Sequence, residues 1–254
     1  MSAMAFSRSR EALDTLADAG RTAALWWRDD DARQVTPALE RLLALARASA
    51  APLGLAVIPE GLDPALADRL AAETRVTILL HGHAHRNHAL DGEKRAEFGE
   101  HRPAGMMADE IVAGRAALGR LFAGRFLPVF VPPWNRIGAS ARRILPQLGF
   151  SILSVYGPAK PTGIDGLAEL NTRLDVMNWR DPRGLTADEA DARLAALLAE
   201  RLAGSPEPIG LLTHHLQHDE TAWSVTAAMI ECLAAHSAIT WPSLQRMTAA
   251  LSSG

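Results

Sequence analysis

The chain has one cysteine, Cys232, in 254 residues. A single thiol forms no intramolecular disulfide and cannot furnish a Cys-rich zinc site. Cys232 stands in an Ala-rich helical pattern and reads as core packing. Long apolar runs are also missing, and none reaches the roughly 18 residues that a membrane-spanning helix needs. The N-terminal stretch lacks a secretory apolar segment, since Arg8 and Arg10 lead straight into Glu11 and Asp14. The expectation is a cytoplasmic protein with no membrane partner. Positive charge is not in excess either. Lys and Arg number 26 against 29 Asp and Glu, a formal net charge of -3. With no basic stripe, nucleic acid is not an expected partner. Apolar residues are plentiful at 48%, enough for a full core.

Short β-type runs alternate with amphipathic helical patterns along the whole chain. Strands are expected at residues 23–28, 53–58, 76–80, 126–131, 150–155, 173–177 and 209–213. Helices are expected at 37–48, 64–73, 108–122, 139–148 and 187–202. Thr36-Pro37 and Asp63-Pro64 each offer an N-cap followed by proline at the first helical position. Gly149 is a plausible stop. Strands alternating with helices imply parallel pairing with the helices outside. Seven such strands suggest an α/β fold of closed or nearly closed barrel form. No internal repeat or linker divides the chain, so residues 1–254 are expected to form one domain. Residues 86–106 are polar, with Gly92, Gly99, Pro103 and Gly105, and form a long loop of the kind that carries function.

The polar residues fall where such a barrel keeps its active site, at the C-terminal ends of the strands. Asp29, Asp30 and Asp31 end the first run. His81, His83, His85 and His88 follow the third. Pro132, Pro133, Trp134 and Asn135 follow the fourth, and Asp175 and Trp179 stand at the sixth. His214 and His215, with His218 beyond, close the seventh. His81 and His85, four apart, would share one face if the segment turns helically, within reach of one divalent ion. His83 and His88 are weaker candidates. Arg86 stands where a metallo-β-lactamase-type run would need its Asp-His pair. Three adjacent carboxylates repel one another, and a cation together with Arg28 would relieve that repulsion. One Asp could ligate a metal while its neighbour acts as general base. Either His214 or His215 could serve as general acid, or simply be bonded within the loop. The Pro-Pro turn exposes the Trp134 N–H to a possible oxyanion, though alone it reads as a stiff loop.

Five segments in this order resemble the motifs of the polysaccharide deacetylases of carbohydrate esterase family 4. The paired aspartates are matched by Asp30-Asp31, with Asp29-Asp30 as the alternative register. The His-Ser/Thr-x-x-His motif is matched by His81-Gly82-His83-Ala84-His85, and Arg-Pro-Pro-Tyr in part by Val131-Pro132-Pro133-Trp134. Asp175-Val176-Met177-Asn178-Trp179 is close to Asp-x-x-Asp-Trp, and Leu212-Thr213-His214 matches Leu-x-His. The resemblance implies a distorted (β/α)7 barrel with outer helices, forming one catalytic domain that removes an acyl group from an amide. It implies a divalent metal ion, Zn2+ first and Co2+, Ni2+ or Mn2+ as alternatives, on Asp31, His81 and His85. Asp30 would be the base, His214 the acid, the Trp134 N–H the oxyanion donor, and Asp175 would tune His214. Pro133, Trp134, Asn135 and Trp179 would meet a small-molecule or oligosaccharide substrate. Val131 stands where the family has an arginine, a role that Arg28 could fill from another strand. Gly82 replaces a hydroxyl residue that braces the histidine loop. Two further readings stand beside the N-acyl hydrolase: an allantoinase-like hydrolase of a non-sugar C–N bond, and a non-catalytic metal- or glycan-binding form of the fold. The residues do not speak to oligomeric state.

Overall fold

The computed structural model describes residues 6–252. Its strands are β1 (Ala23–Ala32), β2 (Leu53–Val57), β3 (Val76–His81), β4 (Phe126–Val131), β5 (Ile152–Leu153), β6 (Ala168–Glu169), β7 (Leu174–Asp175), β8 (Met177–Asn178), β9 (Arg183–Gly184), β10 (Ile209–Thr213) and β11 (Ile239–Thr240). Its helices are α1 (Ser7–Asp18), α2 (Pro37–Ser49), α3 (Ala65–Leu70), α4 (Ala104–Leu121), α5 (Ala139–Ile144), α6 (Ala187–Leu202), α7 (Glu220–Ala234) and α8 (Leu244–Ser252).

The main sheet runs β6-β5-β4-β3-β2-β1-β10-β7, with β11 beside the start of β1. All its pairings are parallel. The separate pair β8 and β9 is antiparallel. β6 and β7 are two pieces of one stretch, residues 168–175. Its Leu170 N–H donates to Leu153 on β5, and three residues on Arg173 N–H donates to Gly210 on β10. One kinked stave therefore carries the chain from one sheet edge to the other. The result is a distorted, incompletely closed barrel of seven staves, as the run of seven β-type segments implies.

Side chains alternate across each stave. On β1, Trp26 points inward and packs with Ala56, Leu79, Val129, Val131, Ile152 and Leu170. Leu244 and Met247 of α8 join this inner cluster and plug the barrel. Gly54 makes room for the plug, since a Cβ there would stand 2.7 Å from Leu244 Cδ1. Trp27 faces the other way, into the larger apolar layer between sheet and helices. Cys232 on α7 is buried in that outer layer.

Local signals place most helices. Thr36 Oγ1 accepts from Leu39 N at 3.0 Å and Pro37 opens α2, a cap that contributes about 1 kcal/mol. Asp63 Oδ1 takes the Ala65 N–H before α3, and Gly149 ends the turn after α5 at φ 80. Two helices were not anticipated, α1 and α8, and α7 was expected only as the Ala-rich helical pattern around Cys232. α1 has no side-chain N-cap; its anchor is tertiary, with Ser9 N and Oγ both donating to Asp191 Oδ1 of α6. α7 is capped by Asp219, which sits beyond the histidine cluster and accepts from both Ala222 N and Gly184 N. α8 is short, and its burial against the barrel floor is not written in its own residues. α4 begins at Ala104, four residues before the expected 108, so the polar loop ends at 103 and not at 106.

Below the site, β1 and β10 are clamped by a fully buried pair. Asp29 Oδ1 lies 2.5 Å from His215 Nδ1, and Oδ2 accepts from Thr213 Oγ1 (2.6 Å) and His215 N (3.1 Å). Burial raises the Asp29 carboxyl, but the charge and hydrogen bond of His215, with that of Thr213, outweigh it and hold the group below its ordinary range. Burial likewise lowers His215, and the Asp29 charge and hydrogen bond outweigh it, so His215 lies above its ordinary 6.5. Stability from the His215 shift is fully present below pH 6.5 and is lost as pH rises through the raised folded value. Stability from the Asp29 shift is present above the ordinary 3.8 and is lost as pH falls through the lowered value. His215→Ala should cost about 3–5 kcal/mol near neutral pH, because it leaves Asp29 buried and unpaired. It should also flatten the alkaline limb of the stability curve. Denaturant unfolding across pH checks both, and an unchanged alkaline limb would count against the pair.

Candidate metal centre

β1 ends in an irregularity that sorts its three carboxylates. The pairing of β1 with β2 shifts register between Asp29 and Ala32, and Asp31 within that bulge is left-handed at φ 75. Plain alternation would put Asp31 on the face of Asp29. The bulge corrects this expectation: it turns Asp31 out of Asp29's surroundings and toward the histidine loop. Asp31 Oδ1 lies 3.1 Å from His81 Nε2 and 3.2 Å from His85 Nε2. Donor atoms of Asp31, His81 and His85 all fall within 4.8 Å of one another.

His81 is the last residue of β3, directly opposite Val131. Its Nδ1 stands 3.0 Å from the Val131 carbonyl. A carbonyl can only accept, so Nδ1 carries a proton there, and Nε2 is left facing Asp31. Val131 thus holds the ring through its backbone although its side chain has no polar atom. His85 does not reach the site by a helical turn, as its spacing suggested. Residues 82–85 form an irregular loop with Gly82 at φ 56 and His85 at φ 56. That loop folds back so that the two rings stand 5.3 Å apart, with Trp134 at 4.4 Å on the far side of His85. His83 and His88 are not part of the triad.

Arg28 and Asp30 share the inward face of β1 and meet. The Arg28 Nε stands 2.8 Å from Asp30 Oδ1, and a terminal nitrogen donates to Oδ2 at 2.9 Å. Arg28 is fully buried, and it also donates to Ser154 Oγ (2.7 Å) and Asn135 Oδ1 (2.7 Å). Across from it, His214 Nε2 lies 3.8 Å from Asp30 Oδ2. Asp175 does not hydrogen-bond His214. Its Oδ1 accepts from Met177 N and its Oδ2 from the Trp179 indole at 2.6 Å. Trp179 is thereby set edge-on to the His214 ring, centroids 4.8 Å apart. Burial raises the Asp175 carboxyl above its ordinary range, against the His214 charge and the two hydrogen bonds.

The Pro-Pro turn is a short 3-10 segment with Trp134 at φ 56 and Asn135 at φ 55. Pro133 is buried against Gly82 and shapes the loop instead of meeting solvent. Asn135 faces Arg28, Trp134 is half-buried, and Trp179 is 49% exposed, open to a ligand. An open cavity of about 610 Å³ adjoins Asp31 and His85, walled by Arg33, Gln34, Gln217 and Leu216. Two buried residues were missed by sequence reasoning. Ser154 has a faint signal, as a small polar residue two places from inward-facing Ile152. Glu97 has none, since it lies in a polar loop without periodicity.

The donors fit a divalent ion. With Nδ1 protonated, neutral His81 and the Asp31 carboxylate would confront each other as two acceptors at 3.1 Å, which only a proton or a cation between them relieves. Two imidazoles and one carboxylate, with open cavity beside them, make a three-ligand set with room for further ligands. The Val131 carbonyl supplies the outer hydrogen bond that fixes a ligating ring. Burial lowers His81, but the Asp31 hydrogen bond and the charges of Asp30 and Asp31 raise it above 6.5 overall. Burial and the His81 charge push His85 down. Asp31 is held well below the carboxylate range, because bonding to His81 and the nearby histidine charges outweigh burial. A divalent ion should therefore displace a proton from His81. Below the raised His81 value ion binding should release protons, and affinity should rise with pH until His81 is already neutral. Calorimetry of zinc binding in buffers of different ionisation heat measures it. Binding without proton release would contradict the arrangement.

No protein-family model matches the chain, and no curated protein matches it in sequence. Solved structures do match its fold. A Mycobacterium smegmatis protein bearing the name polysaccharide deacetylase superposes with a TM-score of 0.70 at 17% identity, over 92% of this chain and 91% of that one. A protein of the same name from Pseudomonas aeruginosa PAO1 gives 0.63 at 14%, over 89% of each chain. A family 4 acetyl xylan esterase from Clostridium thermocellum, in complex with a cobalt ion, gives 0.57 at 13%, over 89% of this chain and 91% of that one. The chain has the fold of the polysaccharide deacetylases and family 4 carbohydrate esterases, and carries an Asp-His-His triad within it. Among the described residues no helix is long and apolar enough to cross a membrane.

Proposed function

We propose that the chain is a divalent-metal hydrolase that removes an acyl group, acetyl first, from an N-acylated sugar or small amide. The observation that carries this reading is the apposition of an Arg28-held Asp30, the Asp31, His81 and His85 donor set, and His214. A metal ion on Asp31, His81 and His85 would supply Lewis acidity toward the amide carbonyl and a water. Zinc is the ion proposed, since two imidazoles and a carboxylate suit it. Cobalt is the first alternative, given the ion in the Clostridium thermocellum esterase.

Asp30 is the base in this reading. Arg28 meets both its oxygens, and Oδ2, which lies 3.8 Å from His214 Nε2, would take the proton from the attacking water. The Trp134 N–H, set by its left-handed backbone, would donate to the oxygen of the tetrahedral intermediate. His214 would give a proton to the departing amine as the C–N bond breaks. The products are then a carboxylate and a protonated amine, with one water consumed. Trp179 and Trp134 offer flat apolar faces on two sides, which favours a sugar ring as the bound group. The non-catalytic alternative drew its force from Val131. The Arg28 contact to Asp30 weighs against it, because it puts a guanidinium on the proposed base.

Acetate release from N-acetylated chito-oligosaccharides by zinc- or cobalt-loaded protein tests the reading. Asp30→Asn should keep metal and lose about 10²–10⁴-fold in turnover. Asp31→Asn should lose metal, and Asp29→Asn should keep it. Arg28→Met should keep metal and lower turnover more than tenfold, a loss of over about 1.4 kcal/mol of transition-state stabilisation. Undiminished turnover in Asp30→Asn would remove Asp30 from the mechanism. Release of ammonia or ring-opened product from cyclic amides, with no acetate from sugars, would move the substrate to non-sugar C–N bonds.

A further inference from the structure

One buried carboxylate beside the site has no part in the reaction above. Glu97 is 1% exposed. Its Oε2 accepts from His83 N at 3.1 Å, and its Oε1 accepts from Ala84 N at 2.7 Å and Arg86 N at 3.3 Å. These three N–H groups flank His85 on both sides. Among the described residues no salt bridge reaches the Glu97 carboxylate, and its direct hydrogen-bond partners are these three backbone N–H groups.

The loop needs such a hold. His85 adopts a left-handed backbone, which is strained for a residue with a side chain. Gly82 is left-handed too, and a Cβ there would stand 2.2 Å from Glu97 Oε2 and 2.6 Å from Pro133 Cδ. Glu97 thus occupies the space that a side chain at position 82 would fill. Its own backbone is fixed from behind. Arg102 donates to the Glu97 carbonyl at 3.0 Å and grips Glu110 with two further hydrogen bonds, 2.8 and 2.7 Å. Without the carboxylate, three N–H donors would lose their acceptor, and the backbone around His85 would be free to take a right-handed form. His85 Nε2 would then leave Asp31, while His81, held by β3 and the Val131 carbonyl, would stay.

We infer that Glu97 is a positioning residue for the metal centre: its carboxylate holds residues 83–86 in the turn that aims His85 Nε2 at Asp31. The inference rests on the metal reading proposed above. Its test is titration of the metal-free full chain with Co2+, followed by the visible absorption of the bound ion. Glu97→Gln keeps the size but presents an amide N–H₂ to N–H donors. It should bind cobalt about 10–100-fold more weakly, with an altered absorption band. Glu110→Gln disturbs the same Arg102 but not the loop, and should match the wild type within about twofold. Wild-type affinity and spectrum in Glu97→Gln would overturn the inference. A wild-type chain that binds no cobalt would instead overturn the metal reading, and the inference with it. Should Glu97→Gln fail to fold, amide exchange in the metal-free wild type decides. The amides of residues 83, 84 and 86 should exchange at least about tenfold more slowly than exposed amides of the same loop. Equal rates would show that Glu97 does not hold the turn.

Discussion

Three carboxylates in consecutive positions at the buried end of a strand can persist only if each has its own countercharge. The structure meets this requirement residue by residue. Asp29 is matched by His215, Asp30 by Arg28, and Asp31 by His81. Alternation along β1 sends the first two to opposite faces, one toward the helices and one into the barrel mouth. The third needs the left-handed bulge at Asp31, without which it would crowd Asp29. Much of the upper barrel follows from this sorting. β10 is locked to β1 through Asp29, Thr213 and His215, and β5 and the Pro-Pro turn close around Arg28 through Ser154 and Asn135.

The same sorting divides labour. The Asp29 pair is fully enclosed and serves register and stability. The Asp30 pair is buried on the Arg28 side and faces His214 on the other. The Asp31 group alone adjoins the open cavity, and its two imidazoles and carboxylate leave space on that side. A charge relay through the strand is not needed to explain this. Three neighbouring residues see three different environments because backbone direction, not residue type, decides what each one meets.

That distinction also sets how much of the molecule could be read from its residues. The seven staves were legible because each is an apolar β-type run, and five of the seven end in polar residues. The meeting of Arg28 with Asp30 followed from period-two alternation, since both lie on one face. The sign of φ at Asp31 and at His85 was not legible. Nothing in Asp or His demands a left-handed backbone, and helical spacing offered a simpler route for His85 that the chain does not take. Glu97 was invisible because its role depends on a loop returning upon itself. α1 was missed because its anchor is tertiary, with no side-chain N-cap to announce it. Asp175 was expected to tune His214, whereas its oxygens serve the Met177 N–H and the Trp179 indole.

The central claim is that Asp31, His81 and His85 together ligate one divalent ion beside an Arg28-held Asp30. X-ray absorption of the zinc-loaded chain, with wild type and His85→Ala side by side, tests it most directly. The account predicts one ion per chain, with two imidazole nitrogens at about 2.0–2.1 Å and oxygen in the remaining positions. In His85→Ala one imidazole should disappear from the shell. An ion with no imidazole in its shell, or a shell that His85→Ala leaves unchanged, would contradict it.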